Sequence, residues 1–344
     1  MTSPQSQLRI IQVGLGGWGQ SWAKSIVSQN PAVETTAWVD IDAPTLQHAR
    51  QQLQLPEEHC FTSLDAALKS VEADAVLVTA SLPGHVPSVE TALDAKKHVL
   101  VEKPFAPSVA EAQRLVELAE RQGKTLMVSQ NYRFFPVVRA VTELVQQQAV
   151  GRLGVVTIDF RRYDNTKPFE TYRNYHIQEP LLLDMSIHHF DLMRLVLGQE
   201  PSRVICSTWN NPWSKFVEPV TASMTIFFDG GTVVSYRGSW TSTAPRTDWD
   251  GEWSMEGEKG VLTWTGRGEL PERATLHLRD EEPHDVALPP VPYTDRAGSL
   301  NAFVQAVVTG TEPETSGRRN LATLKLMFAA IESAKQGGLP IEIE

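Results

Sequence analysis

Only two cysteines, Cys60 and Cys206, occur in the 344 residues. A disulfide framework and a thiolate metal cage are thereby excluded, and a reducing cytoplasm is the expected compartment. No apolar run approaches the ~20 residues that a membrane-spanning helix needs. Lysine and arginine never gather into a block, and the net charge is −10. A nucleic-acid or anionic-membrane surface is therefore not expected. The start, Met1-Thr2-Ser3-Pro4-Gln5-Ser6-Gln7, has neither the basic residues nor the apolar core of a secretion signal. Internal repeats and low-complexity stretches are absent too. What is present is an ordinary globular composition, 41% apolar and 21% charged, long enough for two domains.

The first half alternates strand and helix signals. Leu8 to Val13 reads as a strand and runs directly into Gly14-Leu15-Gly16-Gly17-Trp18-Gly19, followed by a helical stretch from Gln20 to Ser28. In such a strand–loop–helix setting, Gly14 permits the tight turn. Gly16 lets backbone approach a diphosphate, and Gly19 lets helix pack closely on strand. A second strand, Thr35 to Val39, ends on Asp40, 21 positions after Gly19, where a dinucleotide fold places the carboxylate that binds the adenosine ribose. Asp42 competes for that role or for a helix cap. An acid at this point repels the extra phosphate of NADP, so NAD is the expected cofactor and NADP the less favoured one. A third strand, Asp74 to Thr79, breaks at a turn through Ser81. His85 opens the next helix, either as a buried helix-start residue or as a cofactor contact. His98 to Val101 then forms a buried strand ending in Glu102-Lys103-Pro104 at the sheet's carboxyl edge, where open α/β sheets bind ligands. Ser108 with Glu111 is a capping box. A strand from Lys124 to Ser129 closes a parallel, doubly wound domain over residues 1–130.

Residues 131–344 have another texture. A helix from about 134 to 147 precedes strands near 155–161, 201–208, 222–228, 232–238, 249–256, 260–264 and 274–278, and a helix over 320–336 follows. This pattern predicts an α+β domain with a large, mostly antiparallel open sheet. Six of the nine tryptophans fall between Trp209 and Trp264 and are expected in sheet packing or a subunit face. One segment, Leu181 to Gly198, is apolar nearly all round yet contains Asp184, His188 and Asp191 at i, i+4 and i+7. An α-helix puts these three on one face, with His189 elsewhere. Burying such groups is costly unless they are paired or ligated. Three arrangements satisfy that demand: a polar cluster that docks the helix, a metal site with His176 as a further ligand, or a histidine base oriented by an acid.

Together these residues resemble the glucose–fructose oxidoreductase/inositol dehydrogenase (Gfo/Idh/MocA) family. The matching pieces are Gly14 to Gly19, Asp40, the turn from Thr79 to His85, His98-Val99 with Glu102-Lys103-Pro104, Asn131-x-Arg133-Phe134, Gly151-x-x-Gly154, and Asp184-x3-His188-x2-Asp191. The resemblance implies an NAD(P)-dependent oxidoreductase with a Rossmann domain ahead of the open-sheet domain. It also implies a homodimer or homotetramer formed through that sheet and a sugar or cyclic polyol as substrate. By the same resemblance Lys103, Asp184 and His188 are catalytic, and Glu102 sits by the cofactor, next to a Lys103–Pro104 bond that such sites tolerate as cis. Gly14, Gly16, Gly17, Trp18, Gly19, Asp40, Thr79, Ser81, His85, Lys103 and Asn131 line the cofactor site, and no metal is implied. Glu179-Pro180 and Ser186 depart from the glycines that the family often carries there, which leaves the substrate open. A non-catalytic ligand sensor and a reductase of C=C or C=N bonds remain as alternatives.

Overall fold

The structure is a computed structural model that describes residues 7–269 and 271–344. In chain order the first elements are β1 (Leu8–Val13), α1 (Gly17–Ser25), β2 (Val33–Val39), α2 (Ala43–Leu53), β3 (Cys60–Phe61), α3 (Leu64–Ser70), β4 (Ala75–Val78), α4 (Leu82–Asp94), β5 (His98–Glu102), α5 (Val109–Gln122) and β6 (Leu126–Ser129). There follow α6 (Pro136–Gln146), β7 (Leu153–Arg161), a π-helical turn (Pro180–Ser186), α7 (Ile187–Leu197), β8 (Pro201–Trp209), β9 (Thr221–Phe228), β10 (Val233–Ser239), β11 (Glu252–Gly257), β12 (Gly260–Thr265), β13 (Arg273–Leu278) and β14 (His284–Asp285). The chain ends with α8 (Asp295–Thr309), α9 (Gly317–Lys335) and β15 (Ile341–Glu342).

Two compact units emerge. One holds the chain up to Asn131 together with Tyr293–Leu321; the other holds Tyr132–Pro292 with Ala322–Glu344. The first is built on a six-stranded parallel sheet in the order β3-β2-β1-β4-β5-β6. This is the doubly wound sheet that the sequence predicts. Its central strands are buried along almost their whole length, as in β4 and β5, because helices cover both faces. Ser108 is the N-cap of α5 as expected: its Oγ accepts from Glu111 N (3.2 Å), while Glu111 closes back on the Ser108 hydroxyl (3.0 Å) where a capping box uses the backbone N–H. The strand order reverses between β1 and β4, which opens a ligand crevice at their carboxyl ends.

The return stretch has no counterpart in the sequence-based expectation. Helix α8 carries Gly298 and Ser299 in its first turns, weak helix formers that disguise it in sequence. Both are buried, and Ser299 Oγ donates to Ser129 Oγ at 3.1 Å. Beyond α8, Val128 N donates to Thr315 O (2.9 Å), Thr315 Oγ1 donates to Val128 O (2.7 Å), and Met127 bridges Ser316 in antiparallel fashion. The free edge of β6 is covered in this way.

The second unit is a nine-stranded sheet, β14-β13-β12-β11-β7-β10-β9-β8-β15, antiparallel except where β7 and β10 pair in parallel. Trp253 and Trp264 face each other across β11 and β12 with stacked rings 4.6 Å apart and almost no exposure, so these two are core. Trp209 and Trp213 are exposed. The segment expected as one α-helix from Leu181 is interrupted: Pro180–Ser186 is π-helical, and α-geometry begins only at Ile187. Glu179 enters the turn in the left-handed region (φ 44°). Trp240 Nε1 then donates to Pro180 O (3.3 Å), and Ser186 Oγ meets Tyr236 OH (3.0 Å). These bonds to Tyr236 of β10 and to Trp240 just past it anchor both ends of the wider turn, which apolar periodicity alone could not signal.

Candidate functional site

The glycine loop between β1 and α1 is shaped by two kinds of glycine. Gly14 has φ +90°, and a Cβ there would overlap the backbone of Ala80; a Cβ on Gly19 would overlap Gly14 O. Gly16 and Gly17 face open space, with nothing within 4 Å of where a Cβ would stand. The first pair folds the loop, and the second leaves its surface bare for a ligand to approach. Thr79 supports the loop from below: its buried Oγ1 donates to Gly14 O (2.7 Å) and accepts from Gln12 Nε2 (3.1 Å). Gln12 Nε2 also donates to Gly19 O at 2.8 Å.

Asp40 stands half-buried at the end of β2. One carboxylate oxygen accepts from Leu15 N (2.7 Å) and the other from Asp42 N (3.0 Å). Asp42 is the cap of α2, accepting from Thr45 N (2.9 Å) and Thr45 Oγ1 (2.7 Å), which lowers its pKa. Asp42 thus takes the helix cap for which the two acids compete in sequence. A dinucleotide fits this frame: bare backbone at Gly16 and Gly17, an α1 amino terminus without an acidic first turn, and a carboxylate at the strand end.

At the carboxyl edge of β4 and β5, Ser81 is exposed just ahead of α4. His85 is buried, with Nδ1 2.9 Å from Pro104 O and Nε2 2.9 Å from Ala80 O; burial pushes its pKa down. It ties the turn after β4 to the segment after β5. Glu102 is buried and accepts from Trp22 Nε1 at 2.7 Å. Burial raises its pKa, against hydrogen bonding from Trp18 and Trp22 and the charge of Lys103. Lys103 is half-buried, and the Lys103–Pro104 bond is cis. Asn131 donates its side-chain amide to the Asp295 carboxylate.

The second unit carries the other expected residues. Asp184 is exposed on the π-helical turn. His188 lies buried in the first turn of α7, its ring stacked on Tyr132 with centroids 3.9 Å apart and planes 6° from parallel. Asp191 is spoken for by Arg133, whose Nη2 donates at 2.7 Å in a buried two-point pair, and by Thr323 Oγ1 at 3.3 Å. The single polar face expected of a continuous α-helix is thus divided: Asp191 docks the helix, while Asp184 and His188 sit on either side of the change in helical pitch. His176 bonds to Phe169 O, and among the described residues no three His, Cys, Asp or Glu side chains gather as a metal site requires.

Sequence reasoning passes over Tyr132, Arg267 and Tyr236. Arg267 lies 4.2 Å over the Tyr132 ring and donates to its hydroxyl (3.0 Å), so Tyr132 is held between a guanidinium and the His188 imidazole. His189 Nε2 donates to Trp249 O (2.9 Å), which leaves Nδ1 to accept from Tyr236 OH (3.0 Å). Burial pulls the His189 pKa down to about 4, so the ring is neutral near pH 7. Tyr132 has one local signal, its place in Asn131-x-Arg133-Phe134; Arg267 and Tyr236 come from distant parts of the chain and have none.

Comparison with known proteins identifies the family. Residues 8–130 fit the model of an oxidoreductase family with an NAD-binding Rossmann fold, and residues 138–263 fit the GFO/IDH/MocA C-terminal domain. The chain belongs to the GFO/IDH/MocA oxidoreductase family. It is accordingly an NAD-binding enzyme of the NAD(P)-dependent dehydrogenase type. A D-apiose dehydrogenase of Paraburkholderia graminis is 27% identical over 88% of this chain and 82% of its own length. A myo-inositol 2-dehydrogenase of Thermotoga maritima is 25% identical over 96% and 97%. Among solved structures, an Agrobacterium radiobacter oxidoreductase in complex with NAD+, L-tartaric acid and magnesium has the same fold, with a TM-score of 0.84 at 21% identity over 98% of this chain and 99% of that one.

Proposed function

We propose that this GFO/IDH/MocA oxidoreductase moves a hydride between NAD and a secondary hydroxyl or ketone of a sugar or cyclic polyol. The observation that carries the reading is His188: a buried imidazole held flat against Tyr132, just past an anchored π-helical turn that leaves Asp184 exposed. A ring fixed in this way suits proton transfer, because its direction is set before substrate arrives. Bound NAD supplies the acceptor for the hydride. His188 takes the hydroxyl proton. Lys103, a cation at the carboxyl edge of the parallel sheet, lowers the pKa of that hydroxyl. Asp184 binds a neighbouring hydroxyl and holds the substrate in register. Asp40 disfavours a 2′-phosphate on the adenosine ribose, so NAD is preferred over NADP. The sugar and inositol dehydrogenases among the relatives support the substrate class.

The test is NADH formation with purified protein, NAD or NADP, and a panel of aldoses, glycosides and inositols. Turnover on at least one polyol is expected. His188→Ala should lower kcat by about 10²–10⁴-fold, the usual contribution of a general base, while leaving NADH binding near wild type. An unchanged kcat in that variant would falsify the assignment of the base.

A further inference from the structure

Arg296 is brought back into the first unit by α8, and it lies against the amino-terminal part of α1. Its guanidinium carbon sits 4.2 Å from the centre of the Trp18 ring and 5.6 Å from that of Trp22, and its Nη2 donates to Ser21 Oγ at 3.1 Å. Trp18 is the second residue of α1 and one of the three variable positions of the glycine motif; its ring is exposed. Arg296 itself is half-buried, so its long side chain is held in place against α1. Residue 295 sets the direction of approach. Asp295 adopts a left-handed conformation (φ 53°) that few non-glycine residues accept, and Asn131 holds its carboxylate.

A nicotinamide dinucleotide presents a diphosphate with about two negative charges, and the glycine loop answers it with neutral amides and a helix dipole worth about +0.5 charge. From Gly14 to Ala23 the sequence carries no lysine or arginine; the first cation of α1 is Lys24, in its last turn. We propose that Arg296 supplies the missing charge and is a binding residue for the cofactor's diphosphate. Its planar fork suits two phosphate oxygens, and the Trp18 ring beneath it keeps the fork in one orientation. Asn131, expected from sequence as a cofactor contact, acts on this account through Asp295 as a positioning residue.

The inference rests on the NAD binding of the family and not on the proposed substrate, so it is tested by binding alone. NADH, ADP and adenosine are titrated by calorimetry into wild type, Arg296→Gln and Arg296→Lys, each checked for an unchanged circular dichroism spectrum. Arg296→Gln should weaken NADH and ADP by about tenfold to a hundredfold, the range for a lost charge-assisted bond, with adenosine within about twofold. Arg296→Lys should recover part of the loss, because charge remains and the fork does not. Raising the salt concentration should weaken NADH binding more in wild type than in Arg296→Gln. Unchanged ADP affinity would overturn the proposal. So would an equal loss for adenosine and ADP, which would make Arg296 only a packing support for α1. Should Arg296→Gln not fold, Arg296→Lys decides: weaker ADP with unmoved adenosine supports the fork, and unmoved ADP sinks it.

Discussion

Gly16 and Gly19 belong to the same motif but answer to different forces. Gly16 has ordinary backbone angles (φ −60°, ψ −179°) and empty space where a Cβ would stand. Gly19 has the carbonyl of Gly14 in that place. Gly16→Ala should therefore fold with a stability change within about 0.5 kcal/mol, because nothing in the protein meets the new methyl. It should nevertheless lose NAD affinity, since the methyl stands between backbone and diphosphate. Gly19→Ala should cost about 3 kcal/mol or more, because backbone must move to admit it. Thermal melts with and without NADH separate the two: Gly16→Ala keeps the apo melting temperature and loses the ligand shift, while Gly19→Ala lowers the apo value. Equal apo melting temperatures would contradict this division of labour. At the same scale Asp40 is marked out in sequence by its 21-residue spacing from Gly19, because strand, loop and helix lengths are stereotyped in this fold, and it stands just past β2 as that spacing predicts. That Asp40 also holds Leu15 N required the loop's actual path.

At the scale of elements, the π-helical turn and α7 show where sequence reading stops. Apolar composition marks a buried segment, and His188, His189 and Asp191 are buried in it, but Asp184 is exposed. Periodicity does not distinguish four from five residues per hydrogen-bonded turn when nearly every position is apolar. The partner of Asp191 is 58 residues away at Arg133, and Tyr236 reaches His189 from a strand of the sheet. The buried His189 gives this element a pH dependence. Its folded pKa, about 4, lies below the ordinary 6.5, so the unfolded chain takes up the proton first. The stabilisation is complete above the unfolded value and is lost as pH falls toward the folded one. Between about pH 7 and about pH 5 the loss should amount to about 2 kcal/mol from this residue. His189→Gln, which cannot titrate, should show a smaller drop in melting temperature over the same interval than wild type. Parallel pH profiles for the two proteins would mean that His189 keeps the same charge in both folded and unfolded chains.

For the whole molecule, chain order and compact unit do not coincide. The backbone passes between the two units three times, at residues 131, 292 and 321. Composition shifts along the sequence mark only the first passage, because the return stretch 293–321 is short and its helix carries glycine and serine where it packs. Yet that stretch covers the edge of β6 through the Val128–Thr315 bonds and the Met127–Ser316 bridge, and it supplies Ser299 to Ser129. A chain ending at residue 131 would expose that strand edge and the apolar surface of Leu126, Met127 and Val128. It should therefore melt without a cooperative transition and bind NADH poorly. Joining residues 1–131 to 293–321 through a flexible glycine–serine linker should restore a cooperative melt. It should also restore NADH binding, because the linked chain regains both the covered edge and Arg296. Circular dichroism melts and NADH titrations of the two chains make the comparison. If the shorter chain already melts cooperatively and binds NADH as the full protein does, β6 needs no cover and the return stretch contributes nothing to the cofactor unit. If only the linked chain does so, the cofactor unit is a product of both halves of the sequence.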